Sequence, residues 1–274
     1  MNVYVEASFD TSVGVSPGES LVQWFRMARA RLFDDLVKAE ARGDEGVFSR
    51  GTVRQDIDDS SHDLENVGSN WENFEQFLAA FPWRAGVHYF SRDGELSELG
   101  WARALHVLTD GSLWRTSAAV TVTSPDHAGS CARLVDFLHG ALDTVNPAFG
   151  RIELDNFNEV TNLDAALGRR KRTSLRESRE LLRGYAWVTV CPAELSARLG
   201  GVTELEASGA FHRVIPLRAG GVLLQASETL AGYTDEVMQR VFEALAPVLP
   251  DGEPRPDPAY PYMRFVPRDA ANVR

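Results

Sequence analysis

Residues 183–250, RGYAWVTVCPAELSARLGGVTELEASGAFHRVIPLRAGGVLLQASETLAGYTDEVMQRVFEALAPVLP, decide the fold. Tyr185–Cys191 is apolar and rich in β-branched residues, the pattern of a buried strand. Pro192 lacks a ladder donor but suits a first helical turn, so Ala193–Leu199 predicts a short helix. Gly200 and Gly201 are expected to end it, because glycine accepts the positive φ of a C-terminal cap. Phe211–Leu217 and Val222–Ala226 read as two more strands, with Arg218-Ala219-Gly220-Gly221 as the hairpin loop between them. Thr234–Leu245 closes the unit as an amphipathic helix, with Val237, Val241, Phe242 and Leu245 on one stripe. The order is strand, helix, strand, strand, helix.

Upstream, Val3–Phe9 alternates as a half-exposed strand. Ser16-Pro17-Gly18-Glu19 starts a helix expected to run from Glu19 to Ala41. Residues 43–70 are polar, acidic and poor in large aliphatics, which predicts an exposed loop or a partly ordered insertion. A short helix is expected over Trp71–Phe81 and a strand over Val87–Phe90, followed by a turn signal at Asp93-Gly94. Trp101–Leu108 and Leu113–Thr123 flank the hairpin signal Thr109-Asp110-Gly111-Ser112. Asp126 is placed as the cap of a helix reaching Val145, with a strand at Gly150–Asn156 and an irregular or weakly helical segment at 157–168. A further helix is expected over Ser174–Leu182, and the prolines beyond Pro250 give an extended tail packed through Tyr260, Tyr262, Met263 and Phe265.

Stripped of 43–98, the first half repeats the order strand, helix, strand, strand, helix. The expectation is therefore an α+β protein with antiparallel sheets, each lobe carrying its helices on one face, and two pseudo-repeated lobes as the hypothesis. The boundaries are an N-terminal lobe at 1–157, a basic connector at 158–182, a C-terminal lobe at 183–250 and a Pro-rich tail at 251–274. Equal strand orders in the two lobes would support the repeat, and different ones would remove it.

Composition narrows the function. Apolar residues make up 44% and charged residues 24%, with a net charge of −11 and a pI of about 5.1. Such a surface repels nucleic acid and anionic membranes, so neither is expected as a partner, while it suits a basic protein. Cys131 and Cys191 sit in apolar periodic segments and read as small buried hydrophobes, too few for a disulfide framework. The N-terminus MNVYVEASFD has no basic region followed by an apolar run, so no signal peptide is read and the cytoplasm is the expected compartment.

No nucleophile elbow, P-loop, dinucleotide fingerprint or zinc-protease motif occurs, and no cofactor is called for. His139 shares a helix face with Cys131, but two turns separate them by about 12 Å, too far for a dyad. Asp56, Asp58, Asp59, His62 and Asp63 imitate the start of a calcium loop. The turn glycine is missing and Val67 stands where a bidentate glutamate belongs, which favours a solvated acidic loop. Residues 169–183 hold seven of the 28 basic residues, interrupted by Glu177 and Glu180 and with no aromatics between them. A solvated helix face, or an intramolecular partner for the acidic insertion, explains that run better than phosphate contacts.

Leu182–Gly201, Phe211–Ser227 and the closing EALAPVLP together resemble the C-terminal half of the type VI secretion-associated, polymorphic-toxin immunity proteins. The matching features are Trp187 in the strand, Leu199-Gly200-Gly201 at the helix end and the Gly220-Gly221-Val222 hairpin. Upstream, Pro147-Ala148-Phe149-Gly150 after a helix stands where that family has a His-Gly-Tyr-type strand entry. The resemblance spans about residues 100–250 and implies a non-catalytic protein that binds and neutralises a cognate toxin, as a monomer or small homo-oligomer. The interface residues expected on that reading are Asp56, Asp58, Asp59, Asp63 and Glu65, with Trp71, Glu72, Phe74 and Glu75 on the neighbouring helix. An exposed loop beside a helix packed on its own core accounts for the same residues. Two other readings stay open. One is a small-molecule enzyme or ligand binder with His106, His212, Arg103 and Glu153 converging between lobes; the other is a structural part of an injection particle.

Overall fold

A computed structural model of the chain describes residues 2–11, 15–43, 46–68, 70–92, 96–108, 111–122, 124–154 and 160–274. The Asp93-Gly94 signal and residues 109–110 and 157–159 lie outside the described residues.

Alternation builds one continuous antiparallel sheet. Its strands are β1 (Asn2–Asp10), β2 (Phe48–Arg54), β3 (His62–Glu65), β4 (Arg84–Ser91), β5 (Ser97–His106), β6 (Leu113–Thr121), β7 (Phe149–Leu154), β8 (Val188–Cys191), β9 (Arg213–Pro216) and β10 (Val222–Gln225). They lie in the order β3-β2-β4-β5-β6-β1-β7-β8-β10-β9. On β1 the side chains of Val3, Val5, Ala7 and Phe9 define a front face, and Tyr4, Glu6 and Ser8 a back face.

Helices α1 (Pro17–Met27), α2 (Asp34–Arg42), α3 (Trp71–Ala79) and α4 (Ala128–Leu142) belong to the front. Leu21, Trp24, Phe25, Phe74, Leu78, Leu134 and Leu138 pack there against the odd positions of β1 and, further along, against Val188, Val190 and Leu223. The back of the C-terminal strands is covered instead by α5 (Asn162–Ala166), α6 (Lys171–Arg176), α7 (Ala193–Arg198), α8 (Gly201–Ala207) and α9 (Asp235–Leu245). Phe149, Cys191, Val222 and Leu224 join Leu195, Leu205, Val241, Phe242 and Leu245 in that second core. The α+β class with antiparallel pairing is as the periodicity predicts. Each lobe has its own helices on one face, and the two faces are opposite.

The repeat passes its strand-order test. The first lobe lies as first, third, second strand (β1-β6-β5), and so does the second (β8-β10-β9), with β7 between them. A half-turn about an axis along β7 exchanges the two and swaps the faces, which explains the opposite helical layers. Val188 and Val190 on one side and Thr189 and Cys191 on the other are all buried, which is why the sequence reads as an unbroken apolar run.

Several expectations are corrected. Residues 48–65 are no loop: β2 and β3 form an edge hairpin, with Ser49, Gly51 and Val53 buried on the front. The helix expected over 19–41 breaks after α1 into a π-helical turn at Ala28–Leu32 before α2 begins. The buried Phe33 ring packs on β5 at Gly100, where a Cβ would come within 2.8 Å of it, and on Tyr89 at 5.0 Å. Gly200, with φ +82°, ends α7 as expected, but a helix not expected, α8, follows at once from Gly201. Helix α4 is capped by His127, whose ring accepts from Ser130 N, rather than by Asp126. The helix expected over 174–182 is instead α6 followed by turns. The tail anchors through Pro254, Val266 and Ala270, while Tyr262 is 88% exposed.

Candidate partner-binding surfaces

Helices α1 and α3 cross where Gly18 meets the Ala79 carbonyl, so closely that a Cβ on Gly18 would lie 2.3 Å from that oxygen. With the end of α4 the two helices frame an open cleft of 820 Å³. Its lining includes Val22, Ala141 and Val145, and Glu19, Glu72 and Glu75 stand along it. Arg26 makes a two-pronged contact with Glu75 at 2.6 Å, and the Trp71 indole donates to the same carboxylate at 2.5 Å. Arg26 holds the Glu75 carboxyl below its ordinary range, and Arg29 sits over the Trp71 ring at 4.8 Å. Glu19 and Glu72 are exposed, with no ion partner among the described residues.

The nine residues expected to form one interface are spread over the fold. Glu72 and Glu75 line the helical cleft, Trp71 is half-buried behind them, and Phe74 is wholly buried against Phe25 at 5.3 Å, offering no surface to a partner. Asp56, Asp58 and Asp59 occupy the exposed tip of the β2–β3 hairpin. Asp63 and Glu65 point to the back, opposite Thr52 and Arg50. His62 turns to the front and stacks on Phe77, which parts it from Asp63 and divides the calcium-like set.

Among the described residues no helix covers the back of β2–β5. Phe48 and Phe90 stack at 5.4 Å, Arg50 and Arg92 lie over the Phe48 ring at 5.4 and 4.5 Å, and Arg103 lies over Trp101 at 4.3 Å. His88 is held between Glu98, close to Nδ1, and the Arg103 Nε–H, 3.2 Å from Nε2. Burial of the ring lowers the His88 pKa against the pull of Glu98. A hollow of 440 Å³ lies here among Arg50, Thr52, Asp63, Glu65, His88 and Phe90. The sequence gives little notice of this surface, because its residues come from four strands, two of them in a stretch that reads as loop.

The basic run has a different use from the one expected. Arg183 is fully buried behind β1, 2.9 Å from Glu6 and 3.4 Å from Asp164. Arg151 reaches Glu6 at 3.5 Å and Glu153 at 2.6 Å, Arg115 lies 3.9 Å from Glu6, and the Tyr4 hydroxyl donates to it at 2.9 Å. Arg169 pairs with Asp164 and Glu177, and Arg179 with Asp10 and Glu194. These arginines bind the connector to the sheet, not to the hairpin acids. The set His106, Arg103, Glu153 and His212 does not converge. His106 and Arg103 lie on opposite faces of β5, Glu153 belongs to the buried ion cluster, and His212 is exposed beside β9 at the far edge.

Scanned against the known protein families and the curated proteins, the chain matches none. Among solved structures it is similar to the Pseudomonas aeruginosa T6SS protein PA0821, with a TM-score of 0.60. The match covers 90% of this chain and 76% of that one at 13% identity, a likeness of fold. No helix among the described residues is long and apolar enough to cross a membrane.

Proposed function

We propose that this chain is a type VI secretion-associated immunity protein, which binds a cognate toxin and blocks it by contact, with no bond made or broken. The observation that carries this reading is the helical cleft: a mixed polar and apolar lining edged by Glu19 and Glu72, on a chain of net charge −11. Exposed rim carboxylates attract a basic partner from a distance, and the mixed lining, with Val15 and Val22 among polar side chains, contacts it once docked. Support also comes from the sequence resemblance of residues 100–250 and from the fold shared with a protein named for type VI secretion. The surface of α3 and the hairpin-tip acids Asp56, Asp58 and Asp59 extend the same acidic character.

The expected result is a 1:1 complex with the effector encoded beside this chain, isolated by co-purification and followed by stopped-flow association. Glu19→Lys with Glu72→Lys should slow association about tenfold or more at low salt and flatten its salt dependence. A complex whose association ignores both reversals would place the contact elsewhere. Absence of a complex with that effector would remove the reading.

A further inference from the structure

We propose that the cleft over α1 receives one α-helix of the toxin, basic along one face and laid between α3 and the end of α4. The inference rests on the toxin-binding reading and names the kind of segment that docks.

Three helices shape the cleft as a trough. Helix α1 packs between α3 and α4, and the Gln23 amide fastens it to α4 by donating to the Gly140 carbonyl at 2.8 Å. Leu21, Trp24 and Phe25 turn one side of α1 to the sheet. Glu19, Val22, Gln23 and Arg26 recur at helical spacing on the other side and form the floor. Glu72, Gln76 and Ala79 of α3 make one wall, and Ala141, Thr144 and Val145 the other. From Ser16 to Arg26 the floor is about 15 Å long, close to three helical turns.

The walls select the type of occupant. A small ligand is a poor match, because no unpartnered buried polar group lines the trough among the described residues. An extended peptide holds on through backbone hydrogen bonds to a strand edge, and the trough is walled by helices, whose backbone groups are already paired. A helix satisfies its own backbone and needs only side-chain contacts. Ser16, Ser20, Ala79 and Ala141 are small, so a fourth helix can approach to the ordinary packing distance of about 8–10 Å.

Charge sets the sequence of that helix. Helices α1 and α3 run antiparallel, since Gly18 near the start of α1 meets Ala79 at the end of α3, while Arg26 reaches Glu75. Glu19 therefore stands beside the crossing, and Glu72, seven residues before Ala79, stands about 10 Å along α3 from it. Positions i and i+7 of a helix share a face and are also about 10 Å apart. Two lysines or arginines at that spacing reach both carboxylates together, and apolar residues beside them meet Val15 and Val22. Arg26, already paired with Glu75 at 2.6 Å, opposes them less than an unpaired cation would.

The probe is a fluorescein-labelled, stapled helix of alanine and leucine with two lysines, followed by anisotropy against the full chain at low salt. Lysines seven apart share a face and lysines five apart do not, so the seven-spaced peptide should bind about tenfold or more tighter. Glu19→Lys and Glu72→Lys should each weaken it about tenfold and remove its advantage. Thr144→Trp, which fills the trough without changing its charge, should weaken both peptides, with circular dichroism confirming that each variant is folded. Hydrogen exchange on the complex with the toxin should protect 16–26, 72–79 and 141–145 here and one contiguous helix there. Failure of the seven-spaced peptide to bind, or equal binding of both, would overturn the helix even where a toxin complex forms with protection elsewhere. Peptide binding without any toxin complex would keep the helix seat and remove the toxin reading instead. Protection of the same segments in the free chain, rising with its own concentration, would assign the trough to a second copy and overturn the proposal.

Discussion

Glu6→Gln is expected to lower the free energy of unfolding by about 3–5 kcal/mol, read from the urea midpoint at neutral pH. Glu6 is wholly buried on the back of β1 and is the shared counter-charge of Arg183, Arg151 and Arg115. The glutamine keeps the shape and removes the charge, so three guanidinium groups lose their common anion in a dry interior. Desolvation alone would raise the Glu6 pKa. The combined pull of Arg151, Arg115 and Arg183, with the hydrogen bond from Tyr4, wins and brings it from an ordinary 4.5 down to about 2. A carboxyl whose pKa is depressed by folding stabilises the native state at pH values above its unfolded pKa, and that contribution drains away as pH falls toward the folded value. Between pH 4.5 and about 2 the wild type should therefore lose stability faster than Glu6→Gln, and the gap between them should close. Asp164 has the opposite sign, because its burial raises the carboxyl against the pull of Arg183, so of these two buried carboxyls Glu6 is the one that loses stability in acid. A variant as stable as the wild type at neutral pH would mean the cluster is solvated and does not fasten the connector.

Trp187→Ala is expected to cost about 3–5 kcal/mol, by the loss of a large buried side chain and the cavity it leaves. Trp187 is 1% exposed just before β8, and its indole N–H donates to the Ser227 carbonyl at 2.9 Å. Its own carbonyl accepts from Ala226 N at 2.9 Å, so the residue ties the start of β8 to the end of β10. Trp187→Phe keeps part of the packing but leaves the Ser227 carbonyl without its donor, and should fall between wild type and alanine. Equal midpoints for phenylalanine and alanine would assign the whole effect to the hydrogen bond.

Periodicity made the C-terminal lobe legible because nearly every residue there answers to one demand. The run through Val188, Thr189, Val190 and Cys191 is apolar on both sides since two helical layers press on it, and Thr234 caps α9 through its hydroxyl. The β2–β3 hairpin was hidden for the opposite reason. It is an edge with one solvated face, so His62, Asp63 and Glu65 look like loop residues, and only Ser49, Gly51 and Val53 turn inward. The broken first helix was equally hidden, because what interrupts it is the seat of Phe33 over Gly100, a contact between residues far apart in the chain. Arg183 shows the same limit. In sequence it ends a basic run that reads as a solvated surface, yet its partners Glu6 and Asp164 come from β1 and α5. Local charge beside aromatics singles out Glu72 and Glu75 in the sequence, but only the packing of α1 on α3 brings Glu19 to the same cleft.

Growth of a bacterial strain expressing a candidate effector, sought among the products encoded beside this chain, tests the functional account most directly. Wild-type chain supplied from a second plasmid should restore growth, and the Glu19→Lys, Glu72→Lys variant, folded to the same degree, should restore it poorly or not at all. Failure of the wild-type chain to protect, with both proteins present in the same cells, would contradict the account.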